Sequence, residues 1–423
     1  MSKIKAMHLL YYPPGIDLEI IQNETIIHKR ISLPAINELT DLASLAHKII
    51  LENDVFRPEH LNKVKKALQQ IQSQQLVNYS DFQVENIRST HMMPLLCCQF
   101  NKMGDQFVTS SYDRTALVWD TNSGECVARL AGHTNAVYTC CFNLPVGNLV
   151  GTGSFDRTAG IWSVETKEKL HILSGHKKEV VTVKFDPTSK YFASGSMDST
   201  ARVWSVETGE VLNVFAEHTQ DIMTVDFHPT EPLLLTSSFD STARIWDLRS
   251  NECINALRGH KTQLCSAYFN SQGNRIITGS FDCTARIWDP RESLALQVLK
   301  GHSGEVVCAT FSLDGSRAAT SSTDKTARVW NVATGKQVSI CNGHSEEVSK
   351  IMFSPQGTKV LTASDDFTCR LWNAETGEQI QILEGHTDLV LSCAFNYAGN
   401  RIITASKDNS VRQWKAMKVT HFN

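Results

Sequence analysis

The chain has 423 residues, 41% hydrophobic and 20% charged, with a formal net charge of −3. That is room for a globular fold of more than one domain. It provides no strong positive field for nucleic acid or an anionic membrane, and no apolar run approaches the roughly 18–20 residues that cross a bilayer.

Residues 1–77 read as a small α+β domain. Met1 to Gly15 carries a short apolar patch with no small-residue cleavage site behind it, so it reads as mature structure rather than a secretory signal. His8 to Tyr12 and Ile16 to Ile21, separated by Pro13-Pro14-Gly15, predict a hairpin, and Ile26 to Leu33 adds a strand. Pro34 suits the first turn of a helix, and Ile36, Leu39, Leu42, Ala43, Ala46, Ile49 and Ile50 follow at helical spacing. A second helix begins at Pro58, with Leu61, Val64, Leu68, Ile71 and Leu76 as its apolar stripe. Lys63, Lys65 and Lys66 form its solvated face. Residues 78–90 read as a linker that carries a strand over Phe82 to Ile87.

From residue 91 to 423 the sequence is periodic. All eight tryptophans share one register: Trp119, Trp162, Trp204, Trp246, Trp288, Trp330, Trp372 and Trp414. Six residues before each stands an aspartate: Asp113, Asp156, Asp198, Asp240, Asp282, Asp324, Asp366 and Asp408. Two before each aspartate stands a serine: Ser111, Ser154, Ser196, Ser238, Ser280, Ser322, Ser364 and Ser406. A histidine precedes each aspartate by 22 residues, or 23 in the second unit: His91, His133, His176, His218, His260, His302, His344 and His386.

Each unit reads as four short strands separated by turns. In the fifth they fall at Gln263 to Phe269, Arg275 to Gly279, Thr284 to Trp288 and Leu296 to Leu299. Nine residues follow Trp414, against a fourth strand at Gln379 to Leu383 in the unit before. The last unit therefore lacks a full outer strand of its own, and Phe82 to Ile87 is placed to supply it and remove an open sheet edge.

Gly259-His260, Ser280-Phe281-Asp282 and Trp288-Asp289 resemble the signature of the WD-repeat family. The resemblance implies an all-β, eight-bladed β-propeller, here behind the small α+β domain. It also implies that Trp, Ser, His and Asp form one hydrogen-bonded chain per blade. Joined to the N-terminal segment, the propeller resembles the WD-repeat family of outer-arm dynein assembly factors. That resemblance implies a monomeric adaptor of the cytoplasm, the cilium or flagellum and the basal body region. It would couple preassembled outer-arm dynein components to intraflagellar transport through a complex B subunit.

Eight copies of one polar arrangement are a building rule, whereas an enzyme needs one site. Neither a Gly-rich phosphate loop, an HExxH motif nor a metal-spaced Cys/His cluster is present, so no catalysis, metal or cofactor is expected. The twelve cysteines lack CxxC spacing and read as free thiols. Trp246-Asp247-Leu248-Arg249 and Trp288-Asp289-Pro290-Arg291 resemble the WDxR box of cullin-RING ligase substrate receptors, which leaves that role as an alternative. A scaffold subunit of another multiprotein complex is a further one.

The turn between the second and third strands is expected at one mouth of the ring. The residues there are Tyr112, Phe155, Met197, Phe239 and Phe281, then Thr323, Asp365 and Lys407. A second row, five residues after each histidine, includes Tyr138, Val181, Met223 and Cys265. Five consecutive large apolar groups form a candidate partner-binding crescent, with Glu179, Asp221, Glu305 and Glu347 as an acidic rim. Arg202, Arg244, Arg286, Arg328, Arg370 and Arg412 each stand two before a Trp, with Leu117 and Gly160 breaking the row in the first two blades, and are expected to pack their stems between blades.

Overall fold

The structure is a computed structural model that describes residues 3–11, 14–22, 25–33, 40–75, 79 and 81–417. The chain forms two compact units, Met1–Tyr79 and Ser80–Asn423.

In the first unit, β1 (Lys3–Tyr11), β2 (Pro14–Gln22) and β3 (Thr25–Ser32) form one antiparallel sheet in chain order. The expected hairpin forms, but Pro14 and Gly15, placed in its turn, belong to β2 and pair with Tyr11 and Leu10, and a bulge lies between Ile4 and Ala6. Helix α1 spans Leu42–Glu52, and Asp41 caps it by accepting from the Ala43 and Ser44 amides. The expected start at Pro34, with Ile36 and Leu39, lies outside the described residues. A 3-10 turn at Pro58–His60 leads into α2, Leu61–Gln75. Ile16, Leu18 and Ile20 of the sheet, Ala46 and Ile49 of α1, and Val64, Leu68 and Ile71 of α2 share one buried core. Ala43, placed on the stripe, is exposed, and Leu45 packs against the core instead. Leu76 lies outside the described residues.

The second unit is an eight-bladed propeller of four-stranded antiparallel sheets. In the fifth blade the strands are Leu264–Phe269, Ile276–Ser280, Thr284–Trp288 and Ala295–Lys300, within a residue or two of expectation. A lone blade leaves two apolar faces, and neighbouring blades cover them. Cys141 and Ile161 of the second blade thus share a core with Val180, Phe192 and Trp204 of the third. Ring closure follows the same rule. Ala394, Ile403 and Val411 of the last blade pack with Leu95, Phe107 and Trp119 of the first.

β4 (Phe82–Arg88) completes the last blade, pairing antiparallel with Val411–Ala416. Phe82 is buried and meets Phe395 edge-on at 6.3 Å between ring centroids. At the other end of β4, the Arg88 guanidinium donates to the Gly124 carbonyl in the first blade and, at 3.2 Å, to Gln413 in the last. Gln413 in turn donates to the Thr121 carbonyl of the first blade at 2.7 Å. β4 therefore closes both the last sheet and the ring.

Deleting the buried ring in Phe82→Ala is expected to cost about 3–5 kcal/mol in chemical denaturation. A chain starting at residue 91 exposes the edge of Val411–Ala416 and is expected to aggregate on size exclusion. A chain starting at residue 77 keeps β4 and should elute as a folded monomer. Monomeric, fully folded 91–423 would refute the closure role.

Candidate functional site

The polar chain inside each blade fixes the turn that carries the candidate site. In the fifth blade the Trp288 indole N–H donates to Thr278 Oγ1 at 2.9 Å. Thr278 Oγ1 lies 2.8 Å from His260 Nε2, and His260 Nδ1 lies 2.9 Å from Asp282 Oδ2. With the indole proton on Thr278, the hydroxyl donates to Nε2, so the imidazole carries its proton on Nδ1 and donates to the carboxylate. Asp282 also accepts from the Thr284 amide and hydroxyl and from the Lys261 amide.

This corrects one member of the expected tetrad. The hydroxyl between indole and imidazole belongs to Thr109, Thr152, Ser194, Thr236, Thr278, Thr320, Thr362 and Thr404. It does not belong to Ser111, Ser154, Ser196, Ser238, Ser280, Ser322, Ser364 or Ser406. The reason is register. Trp288 pairs with Ile276, so its indole reaches Thr278 diagonally, while Ser280 lies further along at the turn. The Ser280 hydroxyl instead accepts the Asp282 amide and donates to the Thr262 carbonyl, both at 3.1 Å, which ties the turn to the segment entering the blade. The signal for the correct row was present two residues earlier, where every unit carries Thr or Ser.

The histidine and aspartate partners set an acid limit. Burial pushes all eight aspartates up, but the histidine, hydroxyl and backbone donors outweigh it and hold them below the usual carboxylate range. Burial also lowers His260 and His302, against the pull of their aspartates. Both kinds of group bind fewer protons folded than unfolded, so their stabilisation is complete above the unfolded pKa and fades as pH falls. The melting temperature is expected to decline slightly below about pH 6.5 and steeply below about pH 4. A flat profile from pH 7 to 3 would contradict this.

The arginine row lies over the tryptophans. The Arg244 and Arg286 guanidinium carbons sit 5.8 and 5.9 Å from the ring centroids of Trp246 and Trp288. Stems are packed inward, and Arg244 is only 12% exposed. In six of the eight blades a glycine precedes the histidine and leaves space beside the tryptophan. A Cβ at Gly259, Gly301 or Gly385 would come within 2.5–2.6 Å of the arginine Nη1 of its own blade. In the first blade both are absent, with Leu117 at the arginine position and Thr90 at the glycine position. Gly301→Ala is therefore expected to destabilise by about 1–3 kcal/mol through overpacking. Gly301→Ala with Arg328→Leu should recover most of it, and simple additivity in that cycle would refute the coupling.

At the mouth, the amides of Met197, Phe239, Thr323 and Asp365 donate to the carbonyls of Glu179, Asp221, Glu305 and Glu347 at 2.9–3.0 Å. The aromatic row and the acidic row are thus adjacent on one face. Tyr112 is 38% exposed, and Phe155, Met197, Phe239 and Phe281 are half-buried. Phe155 is the junction: it meets Tyr112 edge-on at 6.4 Å and stacks on Tyr138 at 5.2 Å. Phe239 and Phe281 lie 6.0 Å apart. Met223 and Cys265 are half-buried beside them, whereas Val181 is buried and drops out of the surface. Glu179 and Asp221 are half-buried, and Glu305 and Glu347 are exposed. The polar sector is electrostatically distinct, for burial and then Glu347 raise the Asp365 carboxyl. Sequence reasoning passed over the charged residues of the innermost strands, Lys184, Asp226 and Lys350. Their signal was charge on strands that otherwise carry none.

Eight segments match the WD domain, G-beta repeat family: 84–120, 124–163, 167–205, 209–247, 251–289, 294–331, 335–373 and 377–415. The chain is similar to dynein assembly factor with WD repeat domains 1 of Mus musculus, at 41% identity over 143 residues. The proteins of that name from Homo sapiens and Danio rerio are 40% identical over 143 and 144 residues. Each alignment covers 33% of this chain and 34% of the relative, so the chain matches about a third of those proteins' own length. Among solved structures it resembles the computationally designed Ika8 protein, with a TM-score of 0.69 and 25% identity, over 77% of this chain and 97% of that one. With eight matched repeats, each closed by the same Trp–Thr/Ser–His–Asp chain, this protein belongs to the WD-repeat family.

Proposed function

We propose that this chain is a non-catalytic adaptor in dynein assembly, which holds outer-arm dynein components and couples them to intraflagellar transport through a complex B subunit. The similarity to dynein assembly factors supports the dynein side of this reading. The observation that carries the binding mode is the joined patch of Tyr112, Tyr138 and Phe155, with a second aromatic pair, Phe239 and Phe281, in the same row. Aromatic anchors at a surface are the usual centres of protein interfaces. The acidic row beside them favours a basic partner segment. The work of such an adaptor takes place in the cytoplasm and at the base and interior of the cilium.

Burying one such aromatic side chain is worth roughly 1.5–3 kcal/mol. Phe155→Ser with Phe239→Ser should therefore weaken capture of outer-arm dynein from ciliated-cell extract by about a hundredfold or more, with the melting temperature nearly unchanged. Full capture by that variant, or a large loss of stability, would return these residues to a packing role. For the transport arm, complex B capture is assigned to residues 1–77. A 77–423 chain is expected to lose it in a pull-down, and undiminished capture would refute that assignment.

A further inference from the structure

The opposite mouth of the ring carries a second surface. Each innermost strand begins beside the aromatic row, where the Tyr112 amide meets the Pro94 carbonyl, and ends at the turn into the second strand. A cavity of about 350 Å³ at those far ends is lined by Gln99, Thr310, Met352 and Ala394. These residues belong to the innermost strands of the first, sixth, seventh and eighth blades, which converge only around the ring axis. The cavity is therefore the lower end of the central channel.

Its collar is mostly apolar, with the Lys102 ammonium over the Tyr397 ring at 3.3 Å from the centroid. Phe311, Leu313, Met352 and Pro355 line one side, and Leu144 and Tyr397 the other. Leu313 is 36% exposed. The apolar surface continues outside the cavity onto Met103 and Val146, on the turns of the first two blades, which are 79% and 62% exposed. A small ligand would not cover that outer part, whereas a polypeptide would.

Above the collar the channel becomes cationic. Lys350 stands two residues before Met352 on Val348–Phe353, roughly 7 Å further along the strand. The groups that act most strongly on it are Cys308, Tyr268, Cys97 and Cys393, and none is a carboxylate. Lys184, by contrast, has Asp226 at 3.6 Å. Among the described residues no ion pair includes Lys350, so an ammonium in a walled channel lacks the carboxylate that its counterpart has.

We propose that this lower mouth seats a partner protein segment in which a large apolar side chain fills the collar and an adjacent Asp or Glu reaches Lys350. The spacing fits one extended residue plus an acidic side chain, and the charge is complementary. The site is independent of the aromatic crescent, which lies at the other mouth.

The test is selection of a random heptapeptide display library on the full chain carrying Phe155→Ser and Phe239→Ser, so that the crescent does not contribute. Enriched peptides should pair Phe, Leu or Trp with Asp or Glu within two positions. Lys350→Met should weaken those peptides tenfold or more and abolish the acidic preference, while Lys350→Arg should retain binding. Leu313→Ser, at the exposed rim, should weaken binding without affecting folding and serves if Lys350→Met fails to fold. No enrichment, enrichment without an acidic residue, or an acidic preference that survives Lys350→Met would overturn the proposal. The dynein and complex B measurements above do not depend on this result.

Discussion

The buried indole proton is the constraint on which the propeller depends. Each blade needs one large apolar group to fill the space against its neighbour, and the tryptophans supply it, being nearly inaccessible to solvent. The same ring brings an N–H that cannot be left unpaired in the core without a cost of about 1–3 kcal/mol. Thr278 accepts it, and its own proton then needs an acceptor. His260 provides one and passes the requirement to Asp282, at the surface turn. The chain ends there because a carboxylate can take donors from Thr284 and the backbone at once. Satisfying one buried proton thus fixes the tryptophan, the innermost strand's entry and the turn between the second and third strands.

That turn is also where the side chains of the aromatic row emerge. The Ser280 hydroxyl holds the turn to the segment entering the blade, and the Phe281 amide is fixed on the Gln263 carbonyl at 3.0 Å. A residue displayed there is held by rigid structure on both sides, and its backbone contributes little entropy cost on binding. The glycine–arginine pairing has the same character. Gly132 accompanies Gly160, and there Lys169 reaches over Trp162 at 5.7 Å in place of an arginine. Glu217 stands in for the glycine beside Arg244 and pairs with it. In each of these blades a cation still lies beside the tryptophan, from Lys169 over Trp162 and from Arg244 over Trp246.

The periodicity made the blade count, the strand order and the ring-closing role of Phe82–Arg88 legible, because each rests on spacing and on the need to cover an edge. Helix α2 was legible from Val64, Leu68 and Ile71, which are all buried. Spacing could not identify the relay hydroxyl. Ser280 and Thr278 lie on the same face of the strand, and only the cross-strand register of Trp288 distinguishes them. Nor could it show that Val181 is covered while Tyr138 meets Phe155, since that depends on neighbouring blades rather than on the unit itself. Ala43 failed for a similar reason: the stripe allowed it, but Leu45 has the longer side chain and reaches the core.

Repetition explains where this protein can carry specificity. A position occupied identically in every blade is committed to the ring, because altering it leaves a buried group unpaired. Positions that vary around the ring are free of that demand. At the aromatic row, five apolar residues run from Tyr112 to Phe281, and Thr323, Asp365 and Lys407 follow. On the innermost strands, Lys184, Asp226 and Lys350 interrupt an otherwise uncharged series. These breaks in symmetry give the ring a preferred orientation toward a partner, which eight equal blades would lack. One mouth is apolar over five blades and acidic beside them, and the other is an apolar collar below a cation. The two mouths are thus chemically unlike, and the tetrads hold both in fixed relation to the ring.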